Sequence, residues 1–201
     1  MVFEGLGFDV GPGDYLLLKG SNGSGKSTLL RLLAGLLPAF AGTLTWGSEQ
    51  IGGADAARTG AILYSGHQHA LKPVLTLREN CMNLYQLMTG EHMADDLLEA
   101  AADGFGLLDL VDQPLKYFSS GQTHRCALLR FLLIRRPVWL MDEPTVGLDA
   151  ENRQRLEAIM AAHLQDGGMI IAASHDPIGL EGNILNVGDF KAGNGHLEGW
   201  L

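Results

Sequence analysis

The chain has 201 residues, 46% of them hydrophobic and 18% charged, enough to bury one α/β core without disulfide staples. Its formal net charge of −9, from 14 basic and 23 acidic residues, speaks against a face that wraps a nucleic-acid backbone, so no nucleic acid is expected among its partners. Cys81 and Cys126 form no CxxC pair and are expected as buried thiols in a reducing compartment; with no apolar run of the roughly 18–20 residues that cross a membrane and no basic-then-apolar leader, a cytoplasmic protein is expected.

In chain order, Asp14 to Lys19 reads as a short buried strand that runs into a Gly/Ser-rich turn, Gly20 to Gly25. A helix follows from about Lys26 to Leu37, with leucines at 29, 30, 32, 33, 36 and 37 and Pro38 as a stop. Thr43–Trp46 and Gly60–Ser65 are strand candidates, and the stretches 76–104 and 119–134 carry helical periodicity. Val138 to Asp142 is an apolar strand. Asp149 caps a helix to about Gln165, with Leu156, Ile159, Met160 and Leu164 on one face and Gly167-Gly168 past its end. Met169–Ser174 is another buried strand, and Asn183–Trp200 reads as short strands with Gly turns. Short apolar strands alternating with amphipathic helices predict a single α/β domain over 1–201, a mostly parallel sheet flanked by helices, with the helix-rich span 73–137 as an inserted subdomain.

The run Gly20-Ser21-Asn22-Gly23-Ser24-Gly25-Lys26-Ser27, followed by Thr28, fits GxxxxGK[ST] between a strand and a helix, which is the context that gives this pattern its meaning. Glycines let the backbone curl so that its N–H groups face phosphate oxygens, and the helix dipole adds positive potential. Lys26 would neutralise the β- and γ-phosphates of ATP, and the Ser27 hydroxyl would ligate Mg²⁺. In this run the chain resembles the P-loop NTPases, and that resemblance implies a fold of RecA-like type. The strand Val138–Asp142 ends in Asp142-Glu143; Asp142 suits the water shell of Mg²⁺ and Glu143 suits activation of the attacking water.

Phe118-Ser119-Ser120-Gly121-Gln122 precedes a helix a short distance before that strand. Here the chain resembles the ATP-binding cassette family, whose signature is LSGGQ, with Phe118 in place of Leu and Ser120 in place of Gly. A serine and free amides at a helix N-terminus make an anion site; in the family it meets the γ-phosphate held by the other subunit. The resemblance implies further roles. Gln68, after the strand, would be the Q-loop glutamine that reaches Mg²⁺ and the attacking water and links to the membrane partner. Asp149, in Gly147-Leu148-Asp149, would lie in the D-loop that crosses the dimer interface, and His175 would be the switch histidine on the γ-phosphate. It also implies a further N-terminal strand with an aromatic that stacks on adenine. This chain opens at Met1-Val2-Phe3, inside what reads as the next strand, so that platform is expected to be missing.

Within the family, Tyr64-Ser65-Gly66-His67-Gln68, Leu71-Lys72, Leu75-Thr76 and Glu79-Asn80 are similar to the ATPase subunits of the haem exporters of cytochrome c maturation, as are Ser119-Ser120-Gly121-Gln122 and Pro137-Val138-Trp139-Leu140-Met141-Asp142-Glu143-Pro144. The resemblance implies a head-to-tail homodimer on ATP binding, integral membrane permease subunits that handle haem, and a place on the inner face of the cell membrane. His67 and His69 sit beside the Q-loop and are not read as haem ligands, and His92, His124, His163 and His196 read as solvated.

Overall fold

The computed structural model describes residues 2–47, 49–51, 60–176 and 178–190. Five strands form one parallel sheet: β1 (Tyr15–Lys19), β4 (Ile62–Ser65), β5 (Val138–Asp142), β6 (Met169–Ala173) and β7 (Asn183–Asn186), in the order β4-β5-β6-β1-β7. All five residues of β5 are buried, as a strand covered by helices on both faces must be. A separate antiparallel hairpin joins β2 (Leu44–Trp46) to β3 (Glu49–Ile51), the latter not anticipated from the sequence. The register puts the carboxyl ends of three strands at one level, with Leu18 of β1 opposite Ala173 of β6, and Ala173 opposite Asp142 of β5. Whatever follows those ends therefore meets above the sheet.

The helices are α1 (Lys26–Leu33), α2 (Leu77–Thr89), α3 (Asp95–Gly104), α4 (Ser120–Leu128), α5 (Arg130–Leu133) and α6 (Ala150–Gln165). Three of them end earlier than periodicity implied. Helix α1 stops at Leu33 because Gly35 is left-handed at φ 74°, and the amides of Gly35 and Leu36 turn back onto the carbonyls of Leu32 and Arg31, which closes the helix before Pro38 matters. The span 76–104 breaks at Gly90 in the same way, and 119–134 breaks at Leu129. Helix α6 begins and ends as expected, capped by Asp149. The tail forms β7 and a short 3₁₀ turn, Val187–Phe190; residues 191–201 lie outside the described residues.

One face of the sheet packs against α6 and the helices between β4 and β5, through Leu98, Phe105, Leu128, Trp139 and Leu156. The other packs against α1 and the N-terminal segment, through Leu16, Leu30, Leu140 and Ile171. Phe3 makes a single strand-like bridge. The segment 4–10 is irregular, yet Leu6, Phe8 and Val10 still pack on the sheet. Cys81 and Cys126 are free and buried, and burial pushes both thiols up to about 12. No helix among the described residues is long and apolar enough to cross a membrane.

Candidate nucleotide site

The loop between β1 and α1 holds its shape through glycine. Gly25 caps α1 at φ 105°, and a Cβ there would approach Val2 Cγ1 to 2.6 Å, so a side chain is excluded by both conformation and space. Gly20, Ser21, Asn22, Gly23 and Ser24 form the preceding curl, closed by a 3.1 Å bond from the Ser24 amide to the Ser21 carbonyl. Lys26 is buried and spans the curl, its Nζ donating to the carbonyls of Gly20 at 2.8 Å and Ser21 at 3.4 Å. Ser27 and Thr28 continue into the first turn of α1, whose leading amides have no partner within the helix.

The Ser27 hydroxyl donates to Asp142 Oδ1 at 3.0 Å, across 115 positions of sequence. Asp142 is 6% exposed, and its other oxygen, Oδ2, is buried without a hydrogen-bond partner among the described residues. A buried carboxylate oxygen left unmatched is costly unless something cationic uses it. One hydroxyl and one carboxylate at contact distance form a hard oxygen pair that fits Mg²⁺, an ion that takes one or two protein ligands and completes its shell with water and phosphate. Among the described residues no cluster of three or more His, Cys, Asp or Glu side chains could hold a metal by itself.

Glu143 sits one residue beyond β5. Its amide donates to the Ala173 carbonyl at 2.8 Å, which extends the ladder, while its φ of 53° places a non-glycine residue in the left-handed region. That twist turns the carboxylate toward the end of β6: Oε2 accepts from the His175 amide at 3.3 Å, and Oε1 lies 3.6 Å from His175 Nε2. Lys26, Ser27, Asp142, Glu143 and His175 are thus brought to one end of the sheet.

Gln68 is exposed on the segment after β4, and among the described residues no hydrogen bond joins it to Ser27 or Asp142. The segment's path depends on Gly66, whose missing Cβ leaves room for the Tyr64 phenol to fold over it. Ser119 caps α4 in a reciprocal box: its Oγ accepts from the Gln122 amide at 3.2 Å and Gln122 Oε1 accepts from the Ser119 amide at 2.8 Å. Ser119 and Ser120 remain exposed, whereas a Cβ on Gly121 would come 3.1 Å from the Gly147 carbonyl. No hydrogen bond among the described residues ties 119–122 to the P-loop of the same chain. Asp149 accepts from the Asn152 amide at 2.9 Å and from its side chain at 2.8 Å, which holds its carboxyl below the usual range. Arg125 of α4 donates to Asn152 Oδ1 at 3.2 Å and so ties the two loops together.

Two histidines read as solvated are packed instead. His163 stacks on Trp139 at 3.7 Å between ring centroids, because α6 lies across β5 there. His124, on α4, hydrogen-bonds the Pro144 carbonyl through Nε2 at 2.9 Å and meets His69 edge to face at 5.0 Å. His196 lies outside the described residues. Arg130 was also missed: its guanidinium bonds the carbonyls of Ala127, Tyr64 and His69. A lone charge inside the apolar run 126–134 was the available signal.

The profile of the ABC transporter family matches residues 3–146. The cytochrome c biogenesis ATP-binding export protein CcmA of Rhodopseudomonas palustris (strain BisB5) is 41% identical over 187 residues, 93% of this chain and 90% of that protein. The protein of the same name from Mesorhizobium japonicum is 43% identical over 188 residues, again 93% of this chain and 90% of its own. Among solved structures, a putative ABC transporter ATP-binding protein from Pyrococcus furiosus superposes with a TM-score of 0.79 over 91% of this chain and 88% of that one. A dimeric ATP-binding cassette in a post-hydrolysis state, bound to ADP and phosphate, reaches 0.76 over 87% and 80%. At 19% and 22% identity these two likenesses concern the fold.

Proposed function

This chain belongs to the ABC transporter family and is one of its ATPases; from that premise we propose that its hydrolysis drives the export step of cytochrome c biogenesis, with haem as the cargo of a membrane-embedded partner. The observation that carries the ATPase half is the 3.0 Å contact of Ser27 with Asp142, made beside Glu143 and His175. The export half is supported by identities of 41% and 43% to CcmA proteins across nine-tenths of the chain, and by the Tyr64-Ser65-Gly66-His67-Gln68 run.

In this reading the backbone of Gly20–Gly25 and the first amides of α1, with Ser27 and Thr28, cradle the triphosphate, and Lys26 moves from its loop carbonyls onto the β- and γ-phosphates. Ser27 and Asp142 would hold Mg²⁺, which when bound neutralises charge on the β- and γ-oxygens. Glu143 takes a proton from the attacking water as its oxygen bonds to the γ-phosphorus, and the bond to the ADP oxygen breaks. His175 and Lys26 stabilise charge on the transferring group, and Gln68 orients the water. Two copies close head to tail, so that Ser119–Gln122 of each contacts the ATP of the other and Asp149 lies at the seam. ATP then favours the closed state because it contacts both halves only there. The chain sits peripherally on the inner face of the membrane.

The test is recovery of the Glu143→Gln protein, loaded with ATP, from gently solubilised membranes, followed by identification of its companions. Polytopic proteins that carry haem are expected. A permease without haem would overturn the cargo, and no membrane protein at all would overturn the transport role.

A further inference from the structure

We infer that His69 and His124 form a positioning pair that fixes the turn carrying Glu143 to the segment carrying Gln68, so that the two move together. Neither histidine touches the nucleotide site; each acts through another residue.

Glu143 needs such a fixture. Its left-handed φ of 53° is a conformation that a non-glycine residue holds only when its surroundings impose it. On the N-terminal side the β5–β6 ladder does so, through the amide bond to Ala173. On the C-terminal side comes Pro144, which is buried and has no N–H to offer; its carbonyl is the remaining polar group of that peptide pair. His124 Nε2 supplies the proton for that carbonyl at 2.9 Å. A carbonyl only accepts, so Nε2 carries hydrogen and the ring orientation is determined.

The other side of the fixture is the Q-loop. His69 meets His124 at 5.0 Å between centroids and 71° between planes, the geometry of an edge-to-face aromatic contact. His69 is held in turn by Arg130, whose guanidinium donates to the His69 carbonyl at 2.7 Å and to the Tyr64 carbonyl at 3.0 Å, so the Q-loop backbone is fastened at both ends of the Tyr64–His69 stretch. Ala70, which follows, is the other described non-glycine residue with positive φ, at 56°. The two left-handed residues thus flank one histidine pair. Helix α4 carries His124, and its N-terminal residues 119–122 are the signature segment. A movement of the Q-loop therefore reaches the Glu143 turn through the histidine contact, and the signature helix through that contact together with the Arg130 bonds. Burial holds both imidazoles below their ordinary pKa, which keeps them neutral and the stack free of charge repulsion near neutral pH.

The inference rests on Glu143 as the base, so Glu143→Gln is assayed beside the histidine variants. Steady-state ATP hydrolysis is measured for His124→Ala, His124→Gln, His69→Ala, His69→Phe and the double alanine. His124→Ala is expected to lose about tenfold in kcat with KM for ATP within about twofold, short of the hundredfold that a full 1 Å misplacement brings. His124→Gln regains most of it, since its amide reaches the Pro144 carbonyl from the same helix position. His69→Phe keeps the ring contact and the activity, whereas His69→Ala loses both. The double alanine is no slower than the slower single, the mark of residues that act as one unit. Wild-type kcat in His124→Ala, failure of Gln to rescue, or losses that multiply in the double variant would each overturn the pairing while Glu143→Gln remains inactive. Turnover in Glu143→Gln would overturn the premise and the inference with it. If His124→Ala does not fold, the His69 variants, which lie outside any helix, decide between the same outcomes.

Discussion

Asp142 is the residue whose two oxygens do different things, and that difference can be measured. Oδ1 is engaged by Ser27; Oδ2 is buried and unmatched among the described residues. A carboxylate facing a triphosphate repels it unless a cation stands between them. Asp142→Asn removes that repulsion together with the proposed anchor of the cation. In EDTA the variant should therefore bind ATP at least as tightly as the wild type. In Mg²⁺ it should hydrolyse on the order of a hundredfold more slowly, the loss expected when one electrostatic partner of the transition state is removed. Equilibrium binding of a fluorescent ATP analogue with and without Mg²⁺ separates the two effects, and weaker binding in EDTA would mean that Asp142 only supports the loop. The cysteines make a second residue-scale prediction. With both thiols pushed up to about 12, almost no thiolate exists at pH 8. A disulfide-exchange reagent should leave both untouched in the native protein and titrate both once it is denatured.

Elements were legible in the sequence wherever a period and a punctuating residue agreed. Asp149 and Gly167 bracket α6, and its limits match expectation; Val138–Asp142 is a run of five apolar and acidic residues with one possible use, a covered strand. Helix ends were misjudged where a leucine pattern outran its punctuation, as at Gly35 and Gly90, because periodicity records the buried face and says nothing of the backbone's reversal. The contacts of His124 and His163 were not legible at all, since they depend on where α4 and α6 cross β5 and its following turn. That crossing has a consequence for stability. His163 is held below its ordinary pKa by burial against Trp139, and its Nε2 has no hydrogen-bond partner among the described residues. The unfolded chain takes up this proton below about pH 6.5, whereas the folded chain resists it. Stability from this group is thus fully present above that pH and drains away as pH falls toward the depressed folded value. His163→Phe keeps a ring on Trp139 and cannot titrate. Its thermal midpoint should fall less between pH 7.5 and 5.5 than that of the wild type, with His69 and His124, shifted the same way, accounting for the remaining decline. Equal declines would mean that His163 is free to protonate in the fold.

At the scale of the whole molecule, charge opposes the proposed head-to-tail assembly. Each chain carries a formal net charge of −9, and the closed pair proposed above would bring two such chains, with two triphosphates, into contact. Like charges at that spacing repel over a range set by salt, about 30 Å at 0.01 M and about 8 Å at 0.15 M. In that proposed pair, attraction at the seam would be local: exposed Ser119 and Ser120, the amides of α4 and the phosphates would act over hydrogen-bond distances and be screened little. Raising salt should accordingly weaken the repulsion more than the contacts. For the Glu143→Gln protein with ATP, the dimer fraction at fixed protein concentration should rise from 0.01 M to about 0.15 M salt, as read by light scattering behind a sizing column. A fall over that range would show that the two surfaces carry complementary patches whose attraction outweighs the net charge. Near the proposed signature and D-loop segments, Arg153 is paired with Asp176 within the chain, whereas Arg125 bonds only the neutral Asn152 side chain and Phe105 carbonyl. Cationic charge therefore remains there, on Arg125 and on exposed Lys116, so a rise with salt would show that the net charge outweighs it and that closure depends on the nucleotide rather than on attraction between the bare protein faces.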